Sequence, residues 1–162
     1  MNDFDIRFSE ERDLVSLEEW FLDPVACDDY PFGEQEKGDA LKNWIGFSKY
    51  KASLTGLIGN EIAAIGTLFL MPYKKVAHHC SFYLMVAPVH RRKGVGTSMV
   101  RNLMHLAKTR FALESMDVEV YEPSHLQPIL QKLGFEIFAR QEGFVKTENC
   151  VRARVLMEHF LV

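Results

Sequence analysis

The segment from Phe82 to Thr97 has the residue pattern of an anion-binding turn. An apolar run ends near Val86, and after a turn Gly94 and Gly96 open a stretch whose apolar residues recur at helical spacing. The first turn of a helix leaves backbone N–H groups without partners and has a positive potential, so it can bind a phosphate. Because a glycine has no Cβ atom, an anion can approach its backbone closely. The pattern therefore predicts a phosphate site.

Three consecutive cations, Arg91, Arg92 and Lys93, stand directly before Gly94. A tight turn between a strand and a helix, with a solvated basic rim, would have the same local sequence. The strand before the turn, the helix after it and the three cations together favour the anion site over that alternative. The amount of positive charge favours a pyrophosphate as the ligand.

Other kinds of phosphate site are disfavoured. A Rossmann dinucleotide site has a third glycine, where this chain has Met99, and lies in a βαβ unit of parallel strands. A P-loop needs a Gly-Lys-Ser/Thr sequence, which this chain lacks. A nucleic-acid contact through His90–Lys93 is not expected, because this basic run has no interleaved aromatic residues and the formal net charge of the chain is −3.

The composition is that of a soluble globular protein, and residues 1–162 are expected to form a single domain. The three cysteines, Cys27, Cys80 and Cys150, have no zinc-binding spacing, so neither a metal site nor a disulfide framework is expected. No apolar run approaches the roughly 20 residues of a membrane helix, and the acidic N-terminus does not resemble a signal peptide. The sequence predicts a cytoplasmic protein without metal, nucleic-acid or membrane partners.

The elements that position the turn can be predicted from periodicity and from turn residues. Gly59-Asn60 is a hairpin signal between two apolar runs, and Gly134 is suited to end a helix. The predicted strands cover residues 4–8, 52–58, 62–71, 77–86, 116–121, 135–140 and 150–160. The predicted helices cover residues 10–21, 34–48, 95–109 and 125–133. This order indicates an α/β (α+β) fold with a mixed sheet.

Two motifs resemble those of the GNAT superfamily of N-acetyltransferases. Arg91-x-x-Gly94-x-Gly96 resembles the acyl-CoA signature of that family, Gln/Arg-x-x-Gly-x-Gly/Ala. Leu133-Gly134-Phe135 resembles the family's Leu-Gly-Phe at the end of its fourth helix. The order of elements also matches, so the resemblance extends over nearly the whole chain. It implies a mostly antiparallel central sheet of about seven strands, flanked by about four helices.

The resemblance implies transfer of an acetyl or other acyl group from acetyl-CoA, or another acyl-CoA, to a primary amine. The amine of a small molecule or peptide would attack directly in a ternary complex, on a monomer or homodimer. The backbone N–H of Val86 would polarise the thioester carbonyl. Ser124 would either contact the cosubstrate or cap the helix that follows it. The cosubstrate would be bound by Met85, Val86, Arg91, Arg92, Lys93, Gly94, Val95, Gly96, Thr97 and Ser124.

The chain departs from the family pattern where proton transfer would occur. Many relatives have a tyrosine as general acid at the position of Leu130, so no general acid can be assigned. Some relatives have a carboxylate base at the position of Cys80. A cysteine there is more typical of a small core residue than of a nucleophile. His78 lies two residues earlier and titrates in a useful range, so it is either the base or a solvated histidine at the start of a strand.

An acidic loop follows the first predicted helix, and in this family that part of the chain shapes the acceptor site. If it binds the acceptor, its charge favours a cationic amine, while a solvated loop is equally compatible with the sequence. The predicted acceptor residues are Asp28, Asp29, Tyr30 and Phe32. A different class of function is also open, since Leu130 and the unassigned base fit a catalytically weak CoA-binding module that regulates or binds a partner.

Overall fold

The computed structural model of the protein describes residues 3–161 and contains a seven-stranded mixed sheet. The strand order is β1-β2-β3-β4-β5-β7-β6, and every neighbouring pair is antiparallel except β4 and β5. The strands are β1 Phe4–Phe8, β2 Ser53–Ile58, β3 Glu61–Leu70, β4 His79–Val86, β5 Ser115–Tyr121, β6 Glu136–Lys146 and β7 Val151–Phe160. The predicted fold class and the predicted number of strands are confirmed.

Five α-helices accompany the sheet: α1 Leu14–Trp20, α2 Pro24–Cys27, α3 Lys37–Gly46, α4 Val95–Thr109 and α5 Leu126–Lys132. The short α2 lies in a segment that was predicted as a loop. Its first N–H groups are capped by the Asp23 carboxylate, which accepts a hydrogen bond of 3.0 Å from Val25 N–H. Pro24 suits the first position of a helix, where its missing N–H costs no hydrogen bond.

The largest difference in strand length is at β6. The sequence predicts a strand that ends at Arg140, whereas β6 continues to Lys146 and forms a long hairpin with β7. Nearly every β6 side chain is exposed, so the continuation of this edge strand lacks the apolar alternation of a half-buried strand. The predicted helix over residues 95–109 has the bounds of α4, and the β2–β3 turn lies at Gly59-Asn60 as predicted.

Helices cover both faces of the sheet. On one face α4 packs against β3, with Met99 and Leu103 fully buried. The approach is close, since a Cβ atom on Gly66 of β3 would lie 2.7 Å from Leu103 Cδ1. On the other face, α1 and α3 bury Leu17 and Trp44. This packing holds the first turn of α4 at the end of β4.

Within residues 3–161, no helix is both long enough and apolar enough to cross a membrane.

Candidate functional site

The two parallel strands at the centre of the sheet separate along their length. β4 pairs with β5 only from His79↔Ser115 to Ser81↔Asp117, although the strands continue to Val86 and Tyr121. A cavity of about 740 Å³ lies where they diverge, and residues of both strands line it. The separation opens a cleft through the sheet, bounded by main chain on two sides.

Backbone N–H groups of β4 point into this cleft. Ala87 N–H donates to Ala63 O on the β3 side at 2.8 Å. Because antiparallel pairing alternates, Met85 also bonds to β3, whereas Leu84 and Val86 face β5. β5 has already diverged at this level, so the Leu84 and Val86 N–H groups have no sheet partner among the described residues. They are available to a ligand.

The first turn of α4 forms one end of the cavity. Gly94 precedes the helix with φ 81°, a left-handed conformation that favours glycine. No side chain of residues 3–161 caps this N-terminus. Gly96 and Thr97 line the cavity, and a Cβ atom on Gly96 would lie 3.8 Å from Val86 Cγ2 and 3.3 Å from Ile129 Cδ1. The unpaired N–H groups of a 15-residue helix therefore meet the cleft.

Eight of the ten predicted cosubstrate residues line the cavity. The two that do not are Lys93, which is exposed, and Val95, whose side chain is buried in the core, so that only its N–H faces the turn. Arg91 and Arg92 line the cavity and form no ion pair within the described residues. Ser124 also lines it, and its Oγ accepts a hydrogen bond of 3.2 Å from Leu126 N–H of α5.

The acidic loop reaches the opposite side of the cavity. Asp29 and Tyr30 line it, and Tyr30 OH donates to the Leu84 carbonyl at 2.6 Å. Burial raises the pKa of Tyr30, so its phenol stays protonated and remains a donor. Asp28 and Phe32 do not line the cavity, and Phe32 instead stacks against the Tyr30 ring with centroids 5.8 Å apart.

The sequence did not single out Arg152 of β7, which holds this loop in place. The Arg152 side chain is buried and donates to Tyr121 O and Pro123 O at 2.7 Å each, and to Glu122 O at 3.3 Å. It also donates to Asp28 O and, at 3.2 Å, to Asp29 Oδ1. A strand reading Val-Arg-Ala-Arg-Val does indicate two arginines on one face, but not what they contact.

Three titratable residues of the cavity were also missed. Glu119 of β5 is half-buried, accepts a hydrogen bond of 2.7 Å from Tyr121 OH and lies 3.7 Å from an Arg154 guanidinium nitrogen. Burial raises the pKa of Tyr83, and the charge of Glu119 adds to this shift. The pKa of Tyr121 is raised in the same way. The polar face of Asp117-x-Glu119-x-Tyr121 was the available signal, since alternate residues of a strand share a face.

The predicted base His78 is not at this site. It lies in the turn before β4, outside the cavity and exposed to solvent. At about 3.3 Å per residue, His78 is about 26 Å along the strand from Val86. Cys80 is fully buried, as expected for a small core residue, and burial raises its pKa to about 12. Among the described residues, no group of three His, Cys, Asp or Glu side chains could hold a metal ion.

The position where relatives have a tyrosine lies in the core. Leu130 is fully buried and does not line the cavity. We expect Leu130→Tyr to lower the free energy of unfolding by about 1–3 kcal/mol because the larger polar side chain overpacks this site. Urea unfolding measures the loss, and Leu130→Met, which conserves volume, is the control. Unchanged stability together with faster turnover would show instead that the new phenol reaches the cleft.

Comparisons with known proteins agree with this architecture. The structure of yncA from Salmonella typhimurium with acetyl-CoA has a TM-score of 0.83 at 14% identity, over 99% of this chain and 95% of that chain. The ribosomal-protein-alanine N-acetyltransferase of Brucella melitensis has a TM-score of 0.77 at 14% identity, over 96% of this chain and 99% of that chain. The spermidine N-acetyltransferase of Vibrio cholerae, in complex with CoA and spermine, has a TM-score of 0.78 at 13% identity, over 99% of this chain and 97% of that chain. At such identities these similarities show the fold alone.

No curated protein sequence is significantly similar to this chain. A sequence profile does match, and it describes the acetyltransferase (GNAT) family. The match covers residues 15–135, well over half of the chain, and includes both the Arg91–Gly96 turn and Leu133-Gly134-Phe135. With the cleft between β4 and β5 and the glycine-rich start of α4, it leads to one conclusion: the chain belongs to the GNAT family of acetyltransferases.

Proposed function

We propose that the protein transfers an acetyl or other acyl group from acyl-CoA to a primary amine, which attacks directly in a ternary complex. Bound acyl-CoA supplies an acyl group that is activated as a thioester. The observation that carries the proposal is a single continuous cavity of about 740 Å³ that joins the first turn of α4 to the cleft between β4 and β5.

The chain's own groups fit this cosubstrate. In this proposal the N–H groups of Val95, Gly96 and Thr97 bind the pyrophosphate, and Arg91 and Arg92 add charge at the rim. Met85, Val86 and Ser124 line the same cavity on the way to the acyl end, and Lys93 contributes only to the surrounding positive potential. A side chain at position 96 would lie in this path, which is consistent with glycine there.

The unpaired amides of β4 supply the electrophilic group. Val86 N–H is the proposed donor to the thioester carbonyl, and Leu84 N–H faces the same way. An N–H group held in place before the reaction stabilises developing negative charge on that oxygen without reorganisation, and losing one such donor typically costs about 10²–10³ in kcat. The Leu84 carbonyl oxygen already accepts a hydrogen bond from Tyr30 OH, so this oxygen is paired and does not compete with the thioester oxygen at this point.

Glu119 is the proton acceptor in this proposal, in place of His78. An attacking amine must lose a proton, and a positioned carboxylate can accept it directly or through one water molecule. Glu119 lines the cavity on the face opposite α4, and its orientation is fixed by Tyr121 OH at 2.7 Å and by Arg154. Asp117, on the same face of β5, lies at the closed end of the cleft and does not line the cavity.

The names of two structurally similar proteins support the proposed class of acceptor. The Vibrio cholerae protein is named as a spermidine N-acetyltransferase and the Brucella melitensis protein as a ribosomal-protein-alanine N-acetyltransferase. These names support an amine acceptor for this chain, with Asp29 and Tyr30 at its entrance. A CoA-binding module without turnover is the second candidate, and the buried Leu130 favours it because no phenol is available there as general acid.

One experiment separates the two candidates. Titration calorimetry with CoA is expected to show saturable binding, because the α4 amides and both arginines are free to bind. CoA thiol release from acetyl-CoA is then measured with N-acetyl-lysine amide, an alanine-initiated peptide and spermidine. Release with at least one amine supports the enzyme. Binding without release on any amine supports the module, and no heat at millimolar CoA contradicts both.

A further inference from the structure

The loop of residues 28–30 is attached to both walls of the cleft. On one wall, Tyr30 OH donates to the Leu84 carbonyl of β4 at 2.6 Å. On the other wall, Arg152 joins the Asp28 carbonyl and the Asp29 carboxylate to the end of β5, through Tyr121 O. The loop therefore crosses the gap between two strands that have lost their own pairing, and we refer to residues 28–30 as the strap.

Arg152 uses all three of its guanidinium nitrogens in this attachment. Its Nε and both terminal nitrogens donate, and four of the five acceptors are backbone carbonyls. The planar guanidinium has its five N–H groups in a fixed fork, so these bonds define where the two backbone segments lie relative to each other. The side chain is only about a tenth exposed, and a buried charge needs this full set of partners. Its role is thus to fix backbone positions.

The Tyr30 end of the strap is held by aromatic packing. The Tyr30 ring lies 5.1 Å from Phe21, 5.4 Å from Trp44 and 5.6 Å from Tyr83, measured between centroids. Phe21 directly follows α1 and Trp44 lies in α3, whereas Tyr83 belongs to β4 itself, so the packing of these two helices on β4 determines where the phenol meets the strand. The strap has little freedom at either end.

The charges at the strap are balanced. The two carboxylates that line the cavity are Asp29 and Glu119, and each has an arginine nitrogen within 4 Å, at 3.2 Å and 3.7 Å. The acidic loop therefore presents no unpaired carboxylate to the cleft among the described residues. This argues against the cationic-amine preference that the loop sequence suggests.

We propose that Arg152 is a positioning residue for the acceptor: it fixes the strap, which belongs to the part of the chain that shapes the acceptor site in this family, against the end of β5. The inference rests on the proposed function, since it names the element that orients the acceptor of that same site. Arg152 is a positioning residue here, because it contacts the strap rather than the reacting atoms. Removing it should loosen the strap and weaken acceptor binding, while the first turn of α4 and the Arg91 and Arg92 side chains, which Arg152 does not contact, are unaffected.

The test uses Arg152→Met in the full chain, with amide hydrogen exchange of residues 22–33 and steady-state kinetics. We expect exchange in this segment to be about tenfold faster, as for a segment that opens locally. The KM for the amine should rise about tenfold while the Kd for CoA changes less than about twofold, as for a lost contact with one substrate only. Tyr30→Phe, which removes a single hydrogen bond, should give the same changes with smaller size.

Arg7→Met is the matched control, because Arg7 also forms a two-bond pair with a buried partner, Asp13, at 2.7 and 2.9 Å. It should lower stability without changing exchange of residues 22–33 or the KM. If Arg152→Met does not fold, the exchange of residues 22–33 and the KM for the amine in Tyr30→Phe decide whether the inference holds. Wild-type exchange in the folded variants, or faster exchange with an unchanged KM, would overturn the inference. If wild-type protein binds CoA but acylates no amine, the proposed function fails, and exchange still decides whether the strap exists.

Discussion

Replacing Gly96 by glutamate is expected to abolish CoA binding while the sheet remains folded. The new side chain would start 3.8 Å from Val86 Cγ2 and 3.3 Å from Ile129 Cδ1, at the mouth of the cleft, and would carry a negative charge to the first turn of α4. A pyrophosphate would lose its N–H donors there. Charge-assisted hydrogen bonds contribute about 1.5–3 kcal/mol each, so losing two should raise the Kd for CoA by about 100-fold or more.

Gly94→Glu should weaken binding too, but it also changes the backbone. Gly94 has φ 81°, and a residue with a Cβ atom is disfavoured in that conformation by about 1–2 kcal/mol. A loss of binding in this variant therefore comes with a lower free energy of unfolding. Gly96 lies inside the helix without such strain, so Gly96→Glu is the more informative of the two.

The control is Gly38→Glu, which introduces the same charge and the same loss of a helical glycine. Gly38 is exposed in α3, and a Cβ atom there meets nothing within 4 Å. Calorimetry should give this variant the wild-type Kd. Wild-type affinity in both Gly94→Glu and Gly96→Glu, with circular dichroism unchanged, would contradict a phosphate site at α4.

The residues that line the α4 end of the cavity could be predicted from sequence because they are local. Strand, turn and helix follow one another within sixteen residues, from Phe82 to Thr97, and each has its own signal. The apolar spacing of α4 at Met99 and Leu103 corresponds to the residues that the sheet buries. A contiguous motif of this kind keeps its geometry wherever the rest of the chain lies.

On the opposite side of the cavity, Asp29 and Tyr30 could be predicted as lining residues, but their contacts could not, because these partners meet only in three dimensions. Arg152 and Asp28 are 124 positions apart, and Tyr30 and Leu84 are 54 apart. Alternation along β5 predicts that Glu119 and Tyr121 share a face, but it does not reveal that β4 diverges there. The divergence depends on pairing with β3 and β7 on the outer sides, which is non-local.

The position of His78 outside the cavity has a similar origin. Counting back by two residues keeps a side chain on the same face of a strand, yet it also moves about 6.6 Å along it. Here that step leads away from the cleft and past the first residue of β4, which is His79. Periodicity predicts which face of a strand a side chain lies on. Predicting its distance from a reacting atom also requires knowing where β4 and β5 separate.

The second large effect is expected for Glu119→Gln, which should lower kcat by about 10²–10⁴, the usual contribution of a general base. Glutamine keeps the size of the side chain and an oxygen that can accept from Tyr121 OH, so the fold and the Kd for CoA should not change. The loss should appear in kcat and in kcat/KM together, because proton transfer occurs only in the transition state. Thiol release under saturating acetyl-CoA measures it.

Asp117→Asn is the matched control on the same face of the same strand. Asp117 lies beside His79, at 4.0 Å, at the paired end of the cleft, and it does not line the cavity. Burial raises its pKa, so a neutral side chain is well tolerated at this position. We expect a kcat within about twofold of wild type, because Asp117 does not line the cavity in which the reaction is proposed to occur. Equal losses in both variants would assign the effect to β5 as a whole.

The pH dependence distinguishes a base from a residue that only orients the amine. A primary amine like that of lysine has a pKa of about 10.4, so the fraction of acceptor molecules that have already lost the proton rises steadily above pH 7 and reaches about half near pH 10.4. If Glu119 removes that proton, the ratio of wild-type to Glu119→Gln kcat should shrink steadily between pH 7 and pH 10. If the carboxylate instead binds an ammonium group, the ratio should stay constant while the KM of the variant is raised. A ratio near one across this range, with a normal KM, would exclude Glu119 from both roles and leave deprotonation to solvent before the amine enters the cleft.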